Sequence, residues 1–188
     1  MNTRFSELPE AIEKYMQEIN KLTGRDYHLY NYYGAPDAER IIVIMGSGAE
    51  TVKETIDYLM AQGEKIGMVN VHLYRPFAAD AFLNTIPATV KTMAVLDRTK
   101  EPGAMGEPMY QDICAIYKER EHRFAQVGGR YGLSSKDTTP AQFVAVYENL
   151  KAAKPKNNFT IGIVDDVTMT SLPVGEEINT TPEGEKSA

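Results

Sequence analysis

The sequence predicts an α/β fold, a mostly parallel open sheet flanked by helices, and three observations carry that prediction. Short apolar runs rich in β-branched residues alternate with segments of helical period. The distance between successive runs leaves room for a helical crossover, which in parallel sheets is right-handed. A length of 188 residues, 43% hydrophobic and 24% charged, fits one soluble domain of ordinary size with no internal repeat.

The elements follow in order. Leu8, Ile12, Tyr15, Met16, Ile19 and Leu22 recur at helical spacing, with Pro9 suited to a first turn and Thr23-Gly24 ending the pattern. A lone helix cannot bury that stripe, so it is expected to dock on the sheet domain or to pair with another copy. Residues 26–40, with Tyr27, Tyr30, Tyr32 and Tyr33, read as an extended aromatic strap leading into the domain. Residues 41–45 form the first strand and 49–62 a helix, with Ser47 and Glu50 in capping-box positions. Strands are expected at 65–74, 92–96, 124–127 and 159–164, and helices at 78–86 and 107–120. Thr139-Pro140-Ala141-Gln142 announces a last helix with a capping residue, a proline in the first helical position and a glutamine at the third. The division expected is an N-terminal helix and connecting segment over 1–39, an α/β domain over 40–165 and a flexible acidic linker over 166–188.

Charge and cysteine content narrow the function. The net charge is −6; six acids against Lys186 from Asp165 onward give −5, so the preceding 164 residues carry −1. Neither part offers the basic face that nucleic-acid binding needs. The single Cys114 excludes an intramolecular disulfide framework and any Cys-rich metal site; on an apolar helix stripe it reads as core. No apolar run approaches the ~20 residues that span a bilayer, and the N-terminus does not read as a signal peptide. A reducing, cytoplasmic setting without nucleic-acid or membrane partners is expected.

Three clusters could carry chemistry. Gly46-Ser47-Gly48 follows a strand and opens a helix, where backbone amides and the helix dipole can cradle an anion. Thr51 stands where a dinucleotide fingerprint needs its third glycine, so a tight turn explains the pattern as well as a phosphate site does. Asp97, Arg98, Lys100 and Glu101 lie at a strand's C-terminal end, where ligands of open parallel sheets bind. They could grip an anion, form an interface ion-pair network or be a solvated loop. Gly128-Gly129-Arg130 and Lys136 follow another strand, and could hold an anion or pack against a neighbouring domain. His28, His72 and His122 lack metal-ligand spacing, and no catalytic triad order or metalloprotease motif is present.

Taken together, these segments resemble the second domain of pyruvate:ferredoxin (or flavodoxin) oxidoreductases. YHLYNYYGAPDAER at 27–40, MGSGAET at 45–51, LYRPF at 73–77 and DRTKEPGAMGEP at 97–108 begin the likeness. GGRYGLSSKD at 128–137, TPAQ at 139–142 and FTIGIVDDVT at 159–168 continue it, in the family's order, over about 8–172. The resemblance implies a domain like the C-terminal one of transketolase, a Rossmann-like three-layer α/β/α fold. It implies a parent enzyme that converts pyruvate and coenzyme A to acetyl-CoA and carbon dioxide and reduces ferredoxin or flavodoxin. Thiamine diphosphate, Mg²⁺ and iron–sulfur clusters belong to that parent. No Cys-x-x-Cys-x-x-Cys run and no Gly-Asp-Gly…Asn-Asn segment occurs in this sequence. The expectation is therefore a docking domain with no catalytic residue, cofactor ligand or metal ligand of its own. Gly46, Ser47 and Gly48 stay as a weak anion site, and Arg75, Asp97, Arg98, Lys100, Glu101, Arg130 and Lys136 as interface residues. Partners would be the parent's remaining domains or subunits, with a homodimer also open. A free-standing module binding a phosphate-bearing ligand at the Gly46–Gly48 turn is the alternative.

Overall fold

The computed structural model describes residues 3–119, 125–163 and 167–180. The chain runs α1 (Thr3–Thr23), β1 (Tyr30–Gly34), β2 (Arg40–Ile44), α2 (Gly48–Met60), β3 (Ile66–Val71) and α3 (Ala79–Thr85). It continues through β4 (Thr92–Asp97), α4 (Pro108–Glu119), β5 (Ala125–Arg130), a 3-10 turn at Leu133–Ser135, α5 (Pro140–Lys151) and β6 (Phe159–Thr160). The sheet order is β1-β3-β2-β4-β5-β6, with every pairing parallel except β1 against β3. The α/β class with a mostly parallel sheet is therefore as expected. The chain steps outward from β2 to β3, then crosses back to place β4 on the other side of β2. That reversal puts a crevice at the C-terminal ends of β2 and β4.

Both faces of the sheet are covered. In β2, Ile42 and Ile44 join a core with Val52, Ile56, Phe143 and Tyr147 from α2 and α5. Ile41 and Val43, pointing oppositely, join Phe82, Met109 and Ile113 from α3 and α4. Hence the central strands read as unbroken apolar runs rather than alternating ones. The buried Tyr147 hydroxyl donates to Gly67 O at 2.9 Å, so its polar tip is satisfied within the core.

Local details depart from expectation. α1 starts at Thr3, so Pro9 lies inside the helix rather than in its first turn. Gly24 ends α1 at φ +70°, its amide donating to Asn20 O at 2.8 Å. Of the N-terminal stripe, Ile12 and Met16 pack against the second core while Leu8 and Ile19 stay exposed. The aromatic strap contains β1, an edge strand of the sheet. Neither capping box forms. Ser47 is in helical conformation, where its hydroxyl is misdirected, and the Glu50 carboxylate pairs with Lys53 instead. Thr139 has the extended backbone of a cap, but its hydroxyl donates to Glu177 at 3.1 Å. Pro140 does occupy the first helical position.

Two strands are shorter than the sequence implied. β3 ends at Val71, and β6 ends at Thr160 because Gly162, at φ +81°, turns the chain. The returning segment then pairs with β6: Thr160 N donates to Thr170 O (3.1 Å) and Leu172 N to Thr160 O (3.0 Å). Leu172 is buried in the first core and Lys156 Nζ holds Met169 O at 2.6 Å. The segment expected as a free acidic linker is therefore laid along the domain over 167–180. Residues 120–124, 164–166 and 181–188, with the expected strand start at Phe124, His122 and the last acids, lie outside the described residues.

Candidate functional site

The C-terminal edge of the parallel sheet gathers the candidate residues. Gly46–Gly48 follow β2, Arg75 follows β3, Asp97 ends β4 with Arg98, Lys100 and Glu101 beyond it, and Arg130 ends β5 with Lys136 beyond it. Topology alone accounts for this: parallel strands send all their βα loops to one edge.

The Gly46–Gly48 turn is closed by an aromatic lid. The Tyr131 hydroxyl donates to Met45 O at 2.9 Å, and its ring lies so close to Gly48 that a Cβ there would sit 2.7 Å from Cε2. The amides of Ala49 and Glu50 donate to Gly46 O (3.1 Å) and Ser47 O (3.2 Å). Two of the donors an anion would use are thus engaged within the turn.

Asp97 is a buried helix cap. Its carboxylate accepts from Met109 N at 3.1 Å and Tyr110 N at 3.3 Å, in the first turn of α4. A carboxylate belongs there, facing free amides and the positive end of the helix dipole. Burial nevertheless pushes its pKa above the usual carboxylate range, outweighing those two amides, with Glu107 and Asp112 adding repulsion.

Beside it Glu107, 2% exposed, pairs with Arg130. The other Glu107 oxygen accepts from Glu101 N at 2.7 Å, and Arg130 Nη1 donates to Asn158 O at 3.0 Å. This network ties the loop at 98–107 to β5 and to the entrance of β6. Gly129 belongs to the same junction: a Cβ there would lie 2.3 Å from the Phe159 ring and 2.8 Å from Leu96, so no larger residue fits.

Arg75 belongs to a separate group. It pairs with Asp112 at 2.6 Å, donates to the Tyr74 hydroxyl at 3.0 Å and lies 4.0 Å above the Tyr74 ring. Tyr74 also donates to Asp112 at 2.7 Å; burial and then that bond push its pKa up to about 12. Arg98 leans on the β5 loop, its Nε donating to Gly132 O at 3.4 Å. Lys100 and Lys136 are exposed and have no ion-pair partner among the described residues. Met105, at the tip of the 98–107 loop, is 87% exposed.

The structure therefore joins Arg130 to the Glu101 backbone through Glu107, sets Asp97 beside them as the cap of α4, and places Arg98 against the neighbouring loop. Arg75, Lys100 and Lys136 stand outside that network. Sequence reasoning missed Glu107, Asp112, Tyr131 and Asn158. Glu107 carries a local signal, an acid directly before the proline that opens α4. Asp112 and Tyr131 become visible only once the loops are folded together.

Among the described residues no cofactor ligand set emerges at this edge. Among the described residues no three His, Cys, Asp or Glu side chains are placed to hold a metal ion. Cys114 is half-buried on the flank of α4 rather than in the core, and burial pushes its thiol up. His28 contacts Glu13 and Asp26, and His72 Nδ1 lies 2.9 Å from His28 O; both histidines join α1 and the segment before β1 to the sheet. Among the described residues no helix is long and apolar enough to cross a membrane.

Comparison with known proteins adds the following. The sequence model of a family described as pyruvate:ferredoxin oxidoreductase core domain II matches residues 38–143. A pyruvate:ferredoxin oxidoreductase of Moorella thermoacetica is 51% identical over 183 residues, covering 97% of this chain and 16% of that protein. A pyruvate-flavodoxin oxidoreductase of Enterobacter agglomerans is 51% identical over 184 residues, at the same coverage. The chain thus spans about a sixth of the length of these relatives. Among solved structures, a 2-oxoglutarate:ferredoxin oxidoreductase from Magnetococcus marinus aligns with TM-score 0.45 and 20% identity, over 70% of this chain and 21% of that one.

Proposed function

The chain belongs to the pyruvate:ferredoxin oxidoreductase core domain II family, and from that premise we propose that it is a structural and docking domain of such an enzyme. The parent reaction is oxidative decarboxylation of pyruvate with coenzyme A, giving acetyl-CoA and carbon dioxide and passing two electrons to ferredoxin or flavodoxin. In this reading the reaction proceeds on thiamine diphosphate and iron–sulfur clusters held by other parts of the parent. The residues of this chain fit none of those groups: it has one cysteine, half-buried, and no convergent acids or histidines among the described residues.

One observation carries the proposal. At the edge where an α/β domain ordinarily binds its ligand, Asp97, Glu107 and Arg130 are engaged with backbone amides, a carbonyl and each other. What that edge offers outward is Arg98, Lys100, Lys136 and Met105 with Glu101 and Asp137 beside the lysines, a mixed charged and apolar surface suited to another protein surface. The alternative of a phosphate-binding module is disfavoured by Tyr131, which covers Gly48. The remaining domains of a cytoplasmic parent enzyme are the partners this reading assigns.

Calorimetric titration of the chain with thiamine diphosphate and with NAD, alongside a pyruvate-consumption assay, tests the reading. No binding and no turnover are expected. NAD binding would move the function to the Gly46–Gly48 turn, and acetyl-CoA formation by this chain alone would overturn the docking role.

A further inference from the structure

The aromatic strap that leads into β1 has a second consequence beyond supplying an edge strand. With the C-terminal half of β3 and the first turns of α2 it encloses a cavity, whose lining includes Arg25, Tyr27, Tyr33, Lys53, Met68 and His72. The strand order places this cavity on the opposite side of β2 from Arg98, Lys100 and Lys136. Its volume of about 380 Å³ falls at the small end of the range for ligand cavities, roughly 300–1,000 Å³. That is room for one or two rings and not for a dinucleotide.

Most polar groups of the lining are engaged by the fold itself. Asn31 donates to Asp26 O at 2.8 Å and accepts from His28 N at 2.9 Å. His72 uses Nδ1 on His28 O (2.9 Å) and Nε2 on the Asn70 amide nitrogen (3.0 Å), while Asn70 Oδ1 is closed to solvent. The Tyr33 hydroxyl donates to Asp57 at 2.6 Å. Of the four charged lining residues, Glu50 and Lys53 meet at 3.3 Å, and Asp26 lies 3.1 Å from His28 Nε2. Arg25 alone has no carboxylate beside it among the described residues. Its Nη1 donates to the Tyr27 hydroxyl, its guanidinium lies 5.6 Å from that ring's centre, and Tyr27 in turn packs edge-on to His72. The cation is therefore positioned by an aromatic ring rather than neutralised.

We propose that this cavity binds an aromatic carboxylate of one or two rings, its carboxylate on Arg25 and its ring among Tyr27, Tyr33 and Met68. One uncompensated cation matches one negative charge, which favours a carboxylate over the dianion of a phosphate monoester. A guanidinium also presents parallel N–H donors that fit a carboxylate's two oxygens. Tyrosine rings and a buried thioether form a polarisable surface that favours a flat ring over a saturated one. The proposal stands apart from the docking role, since it uses none of the residues assigned to that face.

Fluorescence titration of the full 188-residue chain with 2-naphthoate tests it, and the chain has no tryptophan to interfere. Saturable binding of one naphthoate per chain is expected. Arg25→Gln should raise the dissociation constant by at least ~10-fold, the scale of a lost charge-assisted hydrogen bond. Arg25 is exposed, so the same change should leave the circular dichroism spectrum and urea midpoint as they were. Glu50→Gln should tighten binding by releasing Lys53, an effect that a merely structural role would not produce. Lys100→Gln, at the docking face, should change nothing. Cyclohexanecarboxylate and 2-naphthylmethylammonium should each bind more weakly than naphthoate, the first for want of a ring and the second for its charge. Absence of saturable binding, indifference to Arg25→Gln, or equal affinity for the ammonium probe would overturn the proposal.

Discussion

Glu107 and Arg130 are the residues whose loss should be felt most. Their side chains are 3% and 13% exposed, so solvent screens the pair little. A buried pair of this sort contributes little net stability against apolar replacements, but removing one partner strands a charge and costs about 3–5 kcal/mol. Arg130→Met should therefore destabilise the chain by about 3 kcal/mol in urea unfolding. Adding Glu107→Gln should recover much of that, because the neutral amide still accepts from Glu101 N. A cost under about 1 kcal/mol for Arg130→Met would mean that the 98–107 loop is held by something else. The sequence made Arg130 and Asp97 visible as charged residues at strand ends, but not their roles. The sequence offers Asp97 as an interface residue among charged neighbours, whereas it is a buried cap on a helix that begins 11 residues later. Such assignments depend on which loops meet, and only the fold decides that.

At the scale of elements, the alternation of apolar runs and helical periods was enough to place the strands and helices of the α/β core. The central strands are legible because burial on both faces leaves them apolar throughout. Edges were harder to read. β1 was hidden by its tyrosines, and the segment at 167–180 by its polar composition, since backbone pairing with β6 needs few apolar side chains. α1 is held by a polar clasp, and that clasp should depend on pH. His28 Nδ1 lies 2.6 Å from Glu13; that bond, and the Glu13 and Asp26 charges, outweigh burial and hold the imidazole above its usual 6.5. Burial pushes Glu13 up, but its bonds from Gln17, His28 and the Leu29 amide prevail and its pKa ends below 4.5. The raised histidine stabilises the folded state fully below 6.5 and loses that contribution as pH rises through its folded value. The lowered glutamate contributes above 4.5 and loses its share as pH falls through its folded value. The clasp is thus strongest with both groups charged, between about 4.5 and 6.5. In an NMR titration the His28 ring should show a midpoint above 6.5, and Glu13→Gln should lower it. A midpoint at or below 6.5 in the unaltered chain would show that the clasp does not form.

For the molecule as a whole, its near-neutral body hides a polarised arrangement. The C-terminal edge of the sheet presents Arg98, Lys100 and Lys136 interspersed with Glu101 and Asp137, and α1 presents exposed apolar side chains elsewhere on the surface. Charges at the rim of an interface affect the rate of association and its salt dependence more than the stability of either partner. Replacing Lys100 and Lys136 together by glutamate should therefore leave the unfolding free energy of this chain within about 0.5 kcal/mol for each position, as surface changes usually do. In an intact oxidoreductase carrying this domain, the same pair of changes should weaken assembly, and more so at low ionic strength, where unscreened like charges repel over about 30 Å at 0.01 M. Analytical gel filtration of that enzyme at low and high salt, beside urea unfolding of the chain, separates the two effects. A loss of stability in the chain would make the lysines part of its own fold. Unchanged assembly at both salt concentrations would remove the C-terminal edge as the docking face.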